Sequence, residues 1–288
     1  MTRPKIVYTF IRYEIKRSIA RRKVVALAFF TVLIGTLPYF LVSYVGGGHS
    51  TLEQFLAPYF GYLWVVGVFL PQAFFVQFTG ILIGGGAMSE EYESGTAELI
   101  LSKPVTKSEY FLGKFLGGYI LLAFIILLNM VLAVISATIT FGQQLILGTL
   151  PTVLLAQVFV ALLFFTVGFM FGEVVRRSSL SYIIASSIFF TSEAFGLALS
   201  VMYSITNTAL YQQVQLYLPT SVVGSIPMLL EKSHLPSTVV TLLGFASFGS
   251  FVETSFSFSL VLILVYFVAA FMVAFVFFEM SDVSRKVS

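Results

Sequence analysis

The sequence predicts an all-α polytopic membrane protein. It reads as six transmembrane helices behind an N-terminal amphipathic interfacial helix, with a short cytoplasmic helix between spans two and three and re-entrant or interfacial helices before span six. Three observations carry that prediction. Of 288 residues, 58% are hydrophobic and only 10% charged, with a mean hydropathy of +0.98, whereas soluble domains carry about 25% charged residues. Six apolar stretches are long enough for bilayer helices, which need about 20 residues each. Finally, 15 of the 16 Lys and Arg residues fall on one side of the resulting topology. Such a chain lacks the polar surface to wrap a core in water, so a soluble enzyme is excluded. Cysteine is absent, which excludes disulfide frameworks, Cys-ligated metal sites and a thiol nucleophile.

The leader, residues 1–23, reads as a helix. At 100° per residue Lys5, Arg12 and Lys16 share one sector with Thr9 beside them; Val7, Ile11 and Ile15 lie opposite, flanked by Phe10 and Ile19. That pattern suits a helix on the membrane surface with its bases toward anionic lipid. A 22-residue apolar run behind a 23-residue basic leader is too long for a signal peptide, and Val45-Gly46-Gly47-Gly48 is a poor cleavage site.

The spans follow at 24–45, 60–87, 115–141, 150–175, 180–204 and 256–278, within one transmembrane domain covering 1–288. None alternates as barrel strands do. Pro38 and Pro71 place kinks inside the first two, where neighbouring helices can satisfy the freed carbonyls. The basic residues cluster in the leader, at 88–114, at Arg176-Arg177 and at Arg285-Lys286; Lys232 alone lies opposite. The positive-inside rule therefore puts both termini in the cytoplasm and the chain in a cell membrane. It also accounts for the net charge of +3 without nucleic acid.

Residues 88–114 form the informative segment. Glu90, Glu91, Glu93, Glu98 and Glu109 crowd its polar run. Gly95 relaxes helix geometry within that run. Pro104 breaks the chain after Leu99-Ile100-Leu101. Thr106 or Ser108 can then cap a new helix, with Glu109 placed for a capping box on Thr106. A short helix with an exposed Leu-Ile-Leu ridge is a docking surface for a soluble partner, or else lies back on the membrane.

The string Glu91-x-x-x-Gly95-Thr96, then Leu99-x-Leu101, Pro104-Val105-Thr106-Lys107 and Gly113-Lys114 resembles the signature of type-2 ABC transporter permeases, the NosY-like branch especially. Lys107 stands where Arg is usual, which keeps the charge and loses bidentate pairing. The tail from Phe278 to Val283 also fits the layout. The resemblance implies a half-transporter: this chain pairs with a second permease, identical or not, and with two ATPase subunits that hold ATP and Mg. It implies that 88–114 is the coupling segment, with Glu90, Glu91 and Glu93 set against basic ATPase residues and apolar burial of Leu99 and Leu101 dominating docking. Export of a hydrophobic or amphiphilic substrate is the direction it favours.

No nucleotide site is expected within the chain. Gly113-Lys114 lacks the upstream glycine of a P-loop, and the runs Gly46-Gly47-Gly48 and Gly84-Gly85-Gly86 lack dinucleotide spacing. His49 and His234 have no His-Glu-x-x-His spacing and the one Asp, Asp282, is in the tail, so a membrane protease is not expected. Glu193 sits in mid span five, where a carboxylate is costly and faces a cavity or a partner. It is the candidate residue of a translocation path or a proton carrier, with Asn129, Gln157, Gln72 and Gln77 behind it. A proton-coupled secondary transporter using Glu193 is the alternative reading. The external segment 205–255, with Pro219, Pro227 and Pro236, is too broken to span and reads as re-entrant helices, which an external accessory protein could meet.

Overall fold

A computed structural model describes residues 3–46, 51–246 and 254–281. His49, Glu253, Asp282, Arg285, Lys286 and most of the Gly46–Gly48 run lie outside the described residues. Every regular element among the described residues is helical. Six helical stretches are long and apolar enough to cross a membrane: Arg22–Tyr44, Trp64–Glu93, Lys107–Phe141, Leu147–Val175, Ser178–Thr206 and Phe256–Met280.

The leader forms α1 (Pro4–Ala20), with proline in its first turn, where a missing N–H costs nothing. Helix α2 (Arg22–Gly46) follows after the single-residue break at Arg21 and runs through Pro38. After α3 (Thr51–Leu56), span two is assembled from α4 (Trp64–Pro71), a π turn at Gln72–Val76, and α5 (Gln77–Glu93). The expected irregularity at Pro71 thus takes the form of a π turn directly after it, one of the recognised ways a helix absorbs a defect.

Spans two and three run further than the hydropathy boundaries suggested. Helix α5 continues to Glu93, and α7 (Lys107–Phe141) begins at Lys107 rather than at 115. At 1.5 Å per residue α7 is about 52 Å long, well beyond a hydrocarbon core of about 30 Å. Much of the polar segment 88–114 is therefore a continuation of these two helices. Only α6 (Thr96–Leu101) and the loop to Thr106 stand apart.

Helices α8 (Leu150–Val175) and α9 (Ser178–Thr206) are joined by Arg176 and Arg177 alone, with Arg176 in the left-handed region at φ 57°. The central pair is α5 and α8, whose spans are 56% and 61% buried, whereas α2, α9 and α13 (Phe256–Met280) are 22%, 28% and 17% buried and form the periphery. Close approach explains the pair. A Cβ on Gly168 would meet the Ile81 carbonyl, and one on Gly84 would meet the Phe165 carbonyl. Small residues let helix backbones approach in a bilayer, where apolar burial gives no drive for association.

Between spans five and six lie α10 (Ala209–Gln215), α11 (Pro219–Glu231) and α12 (Ser237–Ala246). Helix α11 is embedded, packing on α8, α9 and α13 with Val222, Val223, Ile226 and Met228 buried. It contributes to an inner cluster with Ile81, Phe164, Phe189 and Ile263.

Candidate functional site

Helix α7 starts as its sequence dictates. The Thr106 hydroxyl accepts from the Glu109 N–H at 3.2 Å, and the Glu109 carboxylate accepts from the Thr106 N–H at 3.0 Å, completing the capping box. The same carboxylate accepts from the Arg3 N–H at 2.7 Å and from its guanidinium at 3.2 Å, so the cap also anchors the start of α1.

From there α1 runs along α7. A Cβ on Gly113 would overlap Phe10, and one on Gly117 would lie 2.7 Å from the Glu14 Cβ. These two glycines, one turn apart, let the leader lie against the extended base of span three. Between them Lys114 points into the contact. Its Nζ meets Glu14 Oε2 at 2.5 Å and also Glu91, with all three side chains at 0% exposure. Arg17 reaches Glu91 at 2.5 Å, the Ser18 hydroxyl donates to Glu14 at 3.0 Å, and the Tyr110 hydroxyl donates to Glu91 at 3.3 Å. Lys114 also lies 4.7 Å from the Tyr13 ring centroid. Burial, and then the nearby charge of Glu91, push the Tyr13 hydroxyl above its ordinary pKa. One buried polar knot thus joins α1, α5 and α7.

The neighbouring carboxylates extend it. Glu90 meets Arg21 at 2.9 Å, pairs with Lys23, and accepts from the Tyr182 hydroxyl at 2.7 Å. Glu93 accepts from the backbone N–H and hydroxyl of Ser178 at 2.8 and 2.7 Å, capping α9 from another helix. Glu173, near the end of α8 and 1% exposed, accepts from the Tyr92 hydroxyl at 2.7 Å.

Glu90, Glu91 and Glu93, which the resemblance sets against basic ATPase residues, are each engaged by groups of this chain. The physical reason is the length of α5, which carries them back against α1, α7 and α9 instead of into a solvated loop. Lys107 also turns inward, donating to the carbonyls of Glu279 and Ser281 at 2.8 and 3.0 Å and so closing the end of α13. Carbonyl acceptors make no use of a bidentate fork, so lysine serves at this position.

What remains exposed is α6. Gly95 precedes it at φ +69°, in the left-handed region that favours glycine. Leu99 is 69% exposed. Leu101 and Ile100, by contrast, are half-buried against the core cluster that holds Met88, Tyr110 and Phe278. The expected Leu-Ile-Leu ridge is therefore one outward leucine, flanked by exposed Glu98, Ser102, Lys103 and Pro104; Thr96 is half-buried and bonds to Ser94 through its hydroxyl.

The second candidate region lies inside the bundle. Glu193, Gln72, Gln77 and Thr220 share the lining of a cavity of about 30 Å³ between span two, α8, α9 and α11. Asn129 is elsewhere, on α7, donating to the Gly67 carbonyl at 3.3 Å. Gln157 adjoins the cavity wall through its main-chain carbonyl, which accepts from the Gln72 side-chain amide at 3.3 Å. Of the candidate pathway residues Glu193, Asn129 and Gln157, Glu193 alone lines this cavity, which it shares with the glutamines of span two.

Residues 8–283 match the family described as ABC-2 family transporter protein. The chain belongs to that family. No curated protein matches it in sequence. With six membrane-length helices it is a multi-pass transmembrane permease of ABC-2 type, set in an ABC transporter context with ATPase partners. Among the carboxylates of the permease's polar knot, sequence reasoning missed Glu14 and Glu173. Glu14 had a signal: on the leader helix it falls about 20° from Val7, in the middle of the apolar face. Glu173 had a weaker one, a carboxylate three residues before Arg176, which it meets at 3.4 Å.

Proposed function

We propose that the permease is the membrane half of an ATP-driven exporter of the NosY-like branch, working as a dimer. It sits in the cell membrane with its knotted end and both termini in the cytoplasm. Two separate ATPase subunits, which hold ATP and Mg, seat on α6. The observation that carries this reading is the contrast at α6: Leu99 stands 69% exposed while the residues around its base are locked in buried ion pairs. A single apolar contact on a rigid mount is what a moving partner needs to grip.

Force on α6 passes into α5 across Gly95 and into α7 through the loop at Pro104. The Lys114, Glu14 and Glu91 knot makes α1 move with both helices, and Glu93 carries the motion to α9 at Ser178. The spans then tilt together and change access to a path at the permease dimer interface. The apolar surfaces of α2, α9 and α13 suit a hydrophobic or amphiphilic cargo. Helices α10–α12 act as re-entrant elements closing the outer mouth, where an external accessory protein also has access.

The test is purification of the tagged chain from its native membrane in mild detergent, with subunits identified by mass spectrometry. The expected result is a stoichiometric P-loop ATPase together with ATP-dependent extrusion of a lipid-like fluorescent probe from reconstituted vesicles. A clean permease with no ATPase and no ATP dependence would support proton-coupled secondary transport instead.

A further inference from the structure

Lys5, Arg12 and Lys16 of α1 lie within about 40° of one another around the helix axis and run along it for about 16 Å. Arg22, the first residue of α2, follows directly after the break at Arg21. All four are exposed, and none has an ion-pair partner among the described residues. The other bases of this stretch differ: Arg3 is held by Glu109, Arg17 by Glu91, and Arg21 and Lys23 by Glu90. Glu14, the one acid of α1, is buried against Lys114. The outer side of the leader therefore carries cations with no counter-charge beside them.

The opposite side is already occupied. Phe10 meets Tyr110 edge to face at 5.4 Å between ring centroids, and Glu14 and Ser18 are buried. The leader thus cannot sink its apolar side into a bilayer, as its amphipathic pattern suggests, because span three covers that side. Two exposed side chains indicate what the basic side faces. Tyr8 and Ile19, 66% and 53% exposed, lie within about 20° of each other along one edge of the basic row. An acidic protein surface gives an exposed isoleucine little, whereas the boundary between headgroups and hydrocarbon suits it and is where tyrosine is enriched. Ile19 also stands three residues before Arg22, where the first membrane-length stretch begins.

We propose that the outer side of α1, from Lys5 through Arg12 and Lys16 to Arg22, is a docking surface for anionic phospholipid headgroups of the adjoining leaflet. Charge complementarity carries the contact, so it is shallow and weakens as salt screens it. Because the Lys114, Glu14 and Glu91 knot ties α1 to α5 and α7, headgroups held there steady the base of spans two and three. The lipid acts here as a bound ligand rather than as cargo. The inference stands on this chain alone and does not depend on the ATPase reading.

The experiment is native mass spectrometry of the purified full-length chain in neutral detergent, offered equal amounts of phosphatidylglycerol and phosphatidylcholine. The expected result is preferential retention of phosphatidylglycerol, falling about fivefold in Arg12→Gln or Lys16→Gln, the effect of one base near an anionic surface. The double variant should lose more, and raised ammonium acetate should erode the preference in the parent chain. These side chains are exposed, and an unchanged thermal midpoint confirms that the variants fold. Arg177→Gln, an exposed base on the turn between α8 and α9, is the control and should keep the preference. Equal uptake of the two lipids, or an equal loss in Arg177→Gln, would overturn the proposal. Loss of co-purifying ATPase from the double variant with lipid preference intact would also overturn it and give this side of α1 to a protein partner.

Discussion

Lys114 and Glu14 are one hundred residues apart in sequence, and their side chains meet at 2.5 Å with no exposure to solvent. The pair bolts the leader to the base of span three. Because Lys114 also binds Glu91, the same ammonium holds the end of span two. A leader that reads as a simple membrane anchor is thereby part of the machinery around α6.

Lys114→Met leaves two buried carboxylates that share Arg17, with Arg21 reaching Glu14 at only 4.0 Å. Breaking a buried ion pair from one side costs about 3–5 kcal/mol, so the thermal midpoint in detergent should fall sharply. Adding Glu14→Gln and Glu91→Gln removes the stranded charges and should recover part of the loss. Equal midpoints for the single and triple variants would show that the charges are not coupled.

Gly113→Leu has no room against Phe10. Overpacking of this kind costs about 1–3 kcal/mol, and lifting α1 away is the least costly way to relieve it. Trypsin should then cut at Arg12 and Lys16 faster than in the parent chain. Gly148→Leu, where an added Cβ meets nothing within 4 Å, is the control and should leave the digestion rate unchanged.

Gly95→Ala forces a side chain into a left-handed conformation that costs about 1–2 kcal/mol. Gly95→Asn should cost less, because asparagine tolerates that region. Thr106→Ala removes the cap of α7 at about 1 kcal/mol. Hydrogen exchange across residues 94–106 should rise in Gly95→Ala and Thr106→Ala while the centre of α7 stays protected.

Glu231 ends α11, is 1% exposed, and has its carboxyl pushed above the ordinary value of 4.5 by burial, with a Thr149 hydrogen bond and the His234 charge acting the other way. The folded chain therefore keeps a proton that the unfolded chain releases, and stability falls as pH rises from 4.5 through the raised value. Glu231→Gln should flatten that part of the thermal midpoint against pH and should not destabilise the protein near neutrality. An unchanged slope in the variant would remove Glu231 as its source.

The legible features were the local ones. Thr106 and Glu109 lie three residues apart, so their capping box could be written down from the sequence and is present as written. The six spans were equally plain, because composition over 20 residues overwhelms local detail. The helix ends were not: hydropathy stops where charge begins, but α5 and α7 continue into charge because α1 covers it. The knot itself was hidden because Glu14, Glu91 and Lys114 are brought together by packing across three elements. Leu101 misled for the same reason, since exposure on a six-residue helix is set by what lies beneath it. The inner cavity was half legible. Glu193 stood out by cost, whereas the cavity it shares with Gln72 and Gln77 lies at the π turn that follows Pro71.

The most direct test of α6 as the ATPase seat is Leu99→Asp, assayed by the amount of ATPase that co-purifies with the tagged permease. The account predicts that the ATPase is lost while the permease keeps its elution profile and thermal midpoint, because Leu99 packs against nothing that holds the fold. Leu101→Asp should instead lower the midpoint, since that side chain rests on the core. Full ATPase stoichiometry in a well-folded Leu99→Asp permease would contradict the account and place the docking surface elsewhere.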